Sequence, residues 1–194
     1  MLLNLKDRCT ENGKAKKGRE VFWKPLPSET LQFNADGSSR GSPGEAGIGG
    51  VMRNSNGKVM CIFSSYVGIR NANTAEGQAI RMAVNLCASN PMLAGKEIFI
   101  SSDSKEAVAW VYSDDFGSPD NLDYIYDIRD KLNFLVKTTV IYNPRTSNAM
   151  ADLLAKRASN HEGDVLEWNN YGDLFYPLVG LAYEDGLLCF MLFL

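Results

Sequence analysis

Four carboxylates stand at places where they can act together. Asp36 closes an alternating apolar–polar run at 31–36, and Glu76 opens a stretch of helical spacing. Asp103 follows a short apolar run at 96–101, and Asp152 lies early in the last helical stretch. In an α/β domain, strand ends and adjoining helix starts converge on one rim of the sheet. Four acids gathered there repel one another and raise each other's pKa. A divalent cation removes that conflict. Magnesium suits such a set because it takes oxygen ligands, few of them from protein, and leaves room for water and substrate phosphate. Two such ions about 4 Å apart can activate a water and stabilise the leaving oxygen in phosphodiester cleavage. An Asp at a strand end is also a common turn former or helix cap, so position alone leaves both readings open.

The elements that must carry these acids follow from hydrophobic period. Residues 31–36 alternate like a strand, and 37–44 hold Gly37, Gly41, Pro43 and Gly44 and read as a turn-rich loop. Residues 46–53 and 59–67 read as two more strands, joined through 54–57 as a hairpin. The period then changes. Ala75, Ala79, Met82, Ala83 and Leu86 fall at helical spacing. A short strand is expected over 96–101. A helix capped by Ser104 is expected to run to about 112, with Glu106 in its first turn. A helix over 122–136, a strand over 138–142 and a final helix from Ser147 or Asn148 to about 159 complete the series. Three antiparallel strands followed by α, β, α, α, β, α specify a mixed sheet with helices packed on it.

Charge is uneven along the chain. Residues 1–25 hold seven Lys or Arg against three acids, a net of +4, so the remainder carries −7 within an overall −3. Residues 1–28 thus read as a basic arm, a phosphate contact or a solvated tail. Residues 29–160 read as the folded domain and 161–194 as a tail. The run at 187–194 (LLCFMLFL) is very apolar but too short to span a bilayer, and no membrane association is expected. Cys9, Cys61, Cys87 and Cys189 are far apart, without a CxxC pair or a His cluster. Neither zinc nor a disulfide framework is indicated, and an intracellular, reducing setting (nucleus or cytoplasm) is expected. Cys61 and Cys87 sit in apolar runs, as buried thiols do. Trp110, at helical spacing with Ala107, reads as core.

Residues 33–50 read FNADGSSRGSPGEAGIGG, 73–79 read NTAEGQA, 101–111 read SSDSKEAVAWV and 144–156 read PRTSNAMADLLAK. In this order and spacing they resemble the ribonuclease H family, and most closely its plant-type, retroelement-related branch. The resemblance implies a five-stranded mixed sheet, three antiparallel strands then two parallel, flanked by helices. It implies endonucleolytic hydrolysis of the RNA strand of RNA–DNA hybrids by a monomer using two ions of Mg2+ or Mn2+. By position, Asp36, Glu76, Asp103 and Asp152 match the catalytic and metal-binding acids, with Asp36 bridging both ions and Asp152 holding the second.

Recognition of RNA in a hybrid requires contacts to the 2′-hydroxyl. Candidates are the backbone and hydroxyls of Gly37, Ser38, Ser39 and Arg40, together with Asn73 and, three residues on, Glu76. Arg40, Lys105 and Arg145 are candidate phosphate contacts. Asn148, four residues before Asp152, can orient that acid, contact a water or cap the helix. Two departures from the family bear on activity. Its frequent His before the last helix is replaced here by Tyr142–Asn143, and the sole His, His161, lies beyond that helix. The stretch 113–130, where some members carry a basic protrusion, holds Asp114, Asp115, Asp120, Asp123, Asp127 and Asp130 against Arg129 alone. Gly77 stands where a bulky residue is usual. The alternative reading is a catalytically idle, retroelement-derived module that binds nucleic acid or protein.

Overall fold

A computed structural model describes residues 27–168. Most of the basic arm and the apolar run at 187–194 lie outside the described residues, as do Cys9 and Cys189. The three antiparallel strands are β1 (Thr30–Gly41), β2 (Gly44–Asn54) and β3 (Val59–Arg70). The hairpin between β2 and β3 forms as expected. The Asn54 side chain accepts from the Asn56 and Lys58 amides, and Gly57 takes a φ of 79°, which glycine adopts without steric cost. β1 runs further than its hydrophobic alternation indicated. The segment 37–41 is strand, paired with residues 44–48 of β2, and the reversal occupies 41–44. The ladder holds a polar segment extended there, beyond the reach of a hydrophobic pattern.

Helix α1 (Ala72–Ser89) is followed by β4 (Glu97–Ser102), α2 (Lys105–Tyr112), α3 (Leu122–Phe134), β5 (Thr138–Tyr142) and α4 (Ala149–Ser159). The strand order is β5-β4-β1-β2-β3-β6, with β1, β4 and β5 mutually parallel along the sheet. A sixth strand, β6 (Val165–Trp168), adds to the five expected. It pairs antiparallel with β3, within the stretch read as tail. Four residues are too few to display a period, so only pairing reveals this strand.

Alternation along β1 decides which side each residue serves. Phe33 and Ala35 are fully buried under α1, in a core with Phe63, Ile80, Ile98, Ile100, Trp110, Ile125 and Ile128. Phe33 meets Phe63 edge-on, centroids 5.6 Å apart. Burying a side chain of that size contributes about 2–3 kcal/mol. The other face carries α4, where Leu154 packs on Val51 and Ile62. Here the glycines of β2 matter. A Cβ on Gly49 would lie 2.4 Å from the Ala155 backbone nitrogen, so only glycine lets α4 sit this close to the sheet. Trp110 is core, as its spacing indicates, and Cys61 and Cys87 are buried free thiols that burial pushes up to about 12. Among the described residues, no helix is long and apolar enough to cross a membrane.

Candidate metal centre

Three elements meet at one end of the sheet. Asp36 lies on β1 where the strand passes beyond β4, which pairs with β1 along Thr30–Asn34. Glu76 enters from α1, which is held against β1 at Gly37. A Cβ at Gly37 would stand 2.2 Å from the Glu76 backbone nitrogen, so a side chain there would drive the helix away. Asp103 follows β4, in a turn set by Ser104, whose hydroxyl accepts from the Ala107 amide at 3.1 Å and caps α2.

One carboxylate oxygen from each of Asp36, Glu76 and Asp103 lies within 4.8 Å of the others. Asp36 is only 2% exposed. Burial, reinforced by the charges of Asp103 and Asp152, pushes its pKa up to about 8. Burial and then the charges of Asp36 and Asp103 push Glu76 up to about 9. Side-chain bonds orient both groups. Asn148 donates from Nδ2 to Asp36 Oδ1 at 2.9 Å and to the Ala35 carbonyl at 3.1 Å. Ser102 donates from Oγ to Glu76 Oε2 at 3.1 Å.

Asp152 stands beside this triad, outside the group of three. Its charge reaches Asp36, but its own oxygens are engaged elsewhere. Lys156 Nζ lies 2.6 Å from one and Arg145 Nη2 lies 3.1 Å from the other. Burial works to raise Asp152, but the bonds and charges of Lys156 and Arg145 outweigh it and hold the carboxyl below its ordinary value. Arg145 also lies 3.8 Å from Asp103 through Nε, so it bridges the triad and the fourth acid.

The remaining candidates fall into place around this centre. α1 starts earlier than its apolar pattern, at Ala72, so Glu76 lies in the second turn. The cap is Asn71, whose side chain accepts from the Thr74 amide at 2.8 Å, and Asn73 is exposed in the first turn. Ser39 is engaged locally: its hydroxyl, with one proton to donate, lies 2.8 Å from the Gly41 carbonyl and 2.7 Å from the Arg70 carbonyl at the end of β3. Ser38 is partly buried and Arg40 exposed near the hairpin tip. Lys105 is exposed, its ammonium 5.1 Å from the Tyr142 ring centre. The Asn148 side chain neither caps α4 nor bonds the Asp152 carboxylate, and serves Asp36 instead, while its backbone carbonyl accepts from the Asp152 amide at 3.0 Å. His161 is at the far end of α4, 3.0 Å from Glu45 and stacked near Tyr66.

Two contributors were not singled out from sequence. Lys156 was legible as an i,i+4 partner of Asp152 on one helix. Ser102 was not, because its contact depends on where α1 lies over β4.

The donor set consists wholly of carboxylate oxygens, two of them held at unfavourably high pKa, and the Asn148 Oδ1 is buried with no partner among the described residues. A donor set made wholly of oxygens suits a hard divalent cation.

Fold and site together define a ribonuclease H-like protein. A family model described as reverse transcriptase-like matches residues 34–158, and the chain belongs to that family. RNase H1 from the halophilic archaeon Halobacterium salinarum is similar in structure, with a TM-score of 0.61 and 26% identity over 68% of this chain and 98% of that one. LC11-RNase H1, isolated from compost by a metagenomic approach and solved with an RNA/DNA hybrid, has a TM-score of 0.58 and 26% identity over 68% and 98%. The foamy viral protease-reverse transcriptase, at 20% identity over 82% of this chain and 23% of that one, shares the fold with a TM-score of 0.59. No curated protein sequence matches this one.

Proposed function

We propose that this protein is a divalent-metal-dependent endonuclease that hydrolyses the RNA strand of RNA–DNA hybrids. The observation that carries the proposal is the triad, with Asp36, Glu76 and Asp103 each offering an oxygen within 4.8 Å of the others. The similarity to LC11-RNase H1, solved with RNA/DNA hybrid at 26% identity, supports the choice of substrate. Asp36, Glu76 and Asp103 would hold Mg2+ or Mn2+, and Asp152 is the reserve ligand for a second ion. When bound, such ions activate water and stabilise the leaving oxygen of a phosphodiester.

The chain's own groups do the rest. Asn148 fixes the face that Asp36 presents, and Ser102 fixes that of Glu76. Beyond Asn34 the edge of β1 towards β4 leaves the parallel ladder, so backbone groups of Ser38 to Arg40 on that edge are candidates for a 2′-hydroxyl, while the Gly37 backbone bonds the Glu76 carboxylate and Asn73 stands close in sequence to Glu76. Arg40, Lys105 and Arg145 are exposed cations suited to the flanking phosphates, and guanidinium in particular takes phosphate through two parallel bonds. No His stands near the triad, since His161 is paired with Glu45. Loss of such acid–base help costs about 10²–10⁴-fold, so turnover is slow.

The test is cleavage of a labelled RNA–DNA hybrid with Mg2+ or Mn2+, comparing the unaltered chain with Asp36→Asn. Cleavage that disappears in the variant supports the proposal. A folded, unaltered chain that binds hybrid without cutting it overturns the enzyme reading in favour of an idle binding module.

A further inference from the structure

The fourth carboxylate is at hand but is not free. Asp152 offers two oxygens, and each is taken by a cation of this chain: Oδ2 by Lys156 at 2.6 Å, Oδ1 by Arg145 at 3.1 Å. Lys156 follows Asp152 by one turn of α4, so helix geometry alone brings the two together. Arg145 comes from the turn before α4 and also reaches Asp103 at 3.8 Å. The cations differ in what else holds them. The Lys156 side chain is half-exposed and bonds Asp152, whereas the Arg145 side chain is 73% exposed and spans two acids.

We propose that Lys156 and Arg145 form a counterion clamp that holds Asp152 apart from the triad, so that the chain binds one divalent ion through Asp36, Glu76 and Asp103 and takes a second only when Asp152 is released. This rests on the metal-dependent reading of the site and adds to it a control on ion number. An ion that takes an Asp152 oxygen competes with a charge-assisted hydrogen bond that the protein already makes there. A phosphodiester is the natural releasing agent. It competes for Arg145, whose planar fork binds phosphate as well as carboxylate, and it supplies oxygens of its own to the incoming ion. Lys156 is thus a positioning residue, acting on the metal site through Asp152 alone.

The probe is Mn2+ by itself, titrated calorimetrically into the full chain, with electron paramagnetic resonance to distinguish single from spin-coupled ions. The unaltered chain should bind one ion per chain and a second much more weakly. Lys156→Met, a change at a half-exposed helical position, should tighten the second event roughly 1.5-fold to fivefold, in line with loss of a partly exposed ion pair. It should also produce the coupled-pair spectrum at lower Mn2+. Lys156→Arg should restore the original titration, which a general effect on folding would not.

Superimposable titrations for Lys156→Met and the unaltered chain would overturn the clamp while leaving the metal site intact. Two equally tight ions in the unaltered chain would do the same. Absence of any Mn2+ binding that Asp36→Asn abolishes would overturn the metal reading and the clamp with it.

Discussion

Replacing Asp36 by Asn should abolish cleavage and yet make the metal-free protein more stable. The carboxyl is 2% exposed and sits among Glu76, Asp103 and Asp152. Folding moves its pKa from 3.8 to about 8. The sign follows from linkage: a carboxyl raised in the folded state favours folding while it holds its proton. That contribution is complete below 3.8 and is lost as pH rises through about 8. At about 1.4 kcal/mol per pH unit, the full loss is about 6 kcal/mol. Relaxation around the ionised group recovers part of it, so Asp36→Asn should gain about 2–4 kcal/mol at pH 8.5. An Asn fits the site, because its carbonyl can accept from Asn148 and its amide can donate to Asp103. The corresponding rise in Tm is roughly 5–12 °C for a domain of this size. The assay is thermal unfolding in EDTA at pH 5, 7 and 8.5, both proteins side by side. The gap should widen with pH and then level off. A variant that is no more stable at pH 8.5, or a gap that does not change with pH, would refute the claim that this site stores unfavourable charge.

Three further outcomes follow from the same geometry. Mg2+ or Mn2+ should raise the Tm of the unaltered chain more at pH 8.5 than at pH 6, because at pH 6 protons compete for Asp36 and Glu76, held near 8 and 9; equal shifts at both pH values in a fluorescence melt would count against the triad as the ion's seat. Asn148→Ala removes the donor to Asp36 Oδ1 and to the Ala35 carbonyl, and denaturant unfolding should show a loss of about 1–3 kcal/mol, together with weaker Mn2+ binding by calorimetry. Gly37→Ala places a methyl 2.2 Å from the Glu76 backbone nitrogen, and should lower stability by about 3 kcal/mol or more as well as Mn2+ affinity, whereas Gly95→Ala, with open space around its Cβ position, should leave Mn2+ affinity unchanged.

Much of the fold is visible in the residues themselves. Period 2 over 31–36 and 46–53, the turn at 54–57 and helical spacing from Ala75 each point to the right element, because burial on one face of a strand or helix imposes those periods directly. What the period missed lay where packing and pairing, not pattern, set the outcome. The 37–41 extension of β1 and the whole of β6 exist through ladder bonds to β2 and β3. α1 begins three residues before its apolar stripe because Asn71 caps it. Gly77 stands where a bulky residue is usual, and a Gly inside a helix costs about 1 kcal/mol against Ala. Its place is explained by α3, since a Cβ there would lie 2.5 Å from the Tyr124 hydroxyl.

The site divides along the same line. Sequence alone put Asp36 at the end of a strand and Glu76 in the first turn of a helix, whereas β1 continues to Gly41 and Glu76 lies in the second turn of α1; Asp103 does follow β4. Lys156, one turn after Asp152, was open to the same local reasoning but was not singled out. Three-dimensional packing decided that three acids share one centre within 4.8 Å and that the fourth is drawn aside by two cations. It also gave the Asn148 amide to Asp36, from which it is separated by 112 residues. Through-space charge and desolvation depend on distance and burial, and neither is written in the order of the residues until the chain has folded.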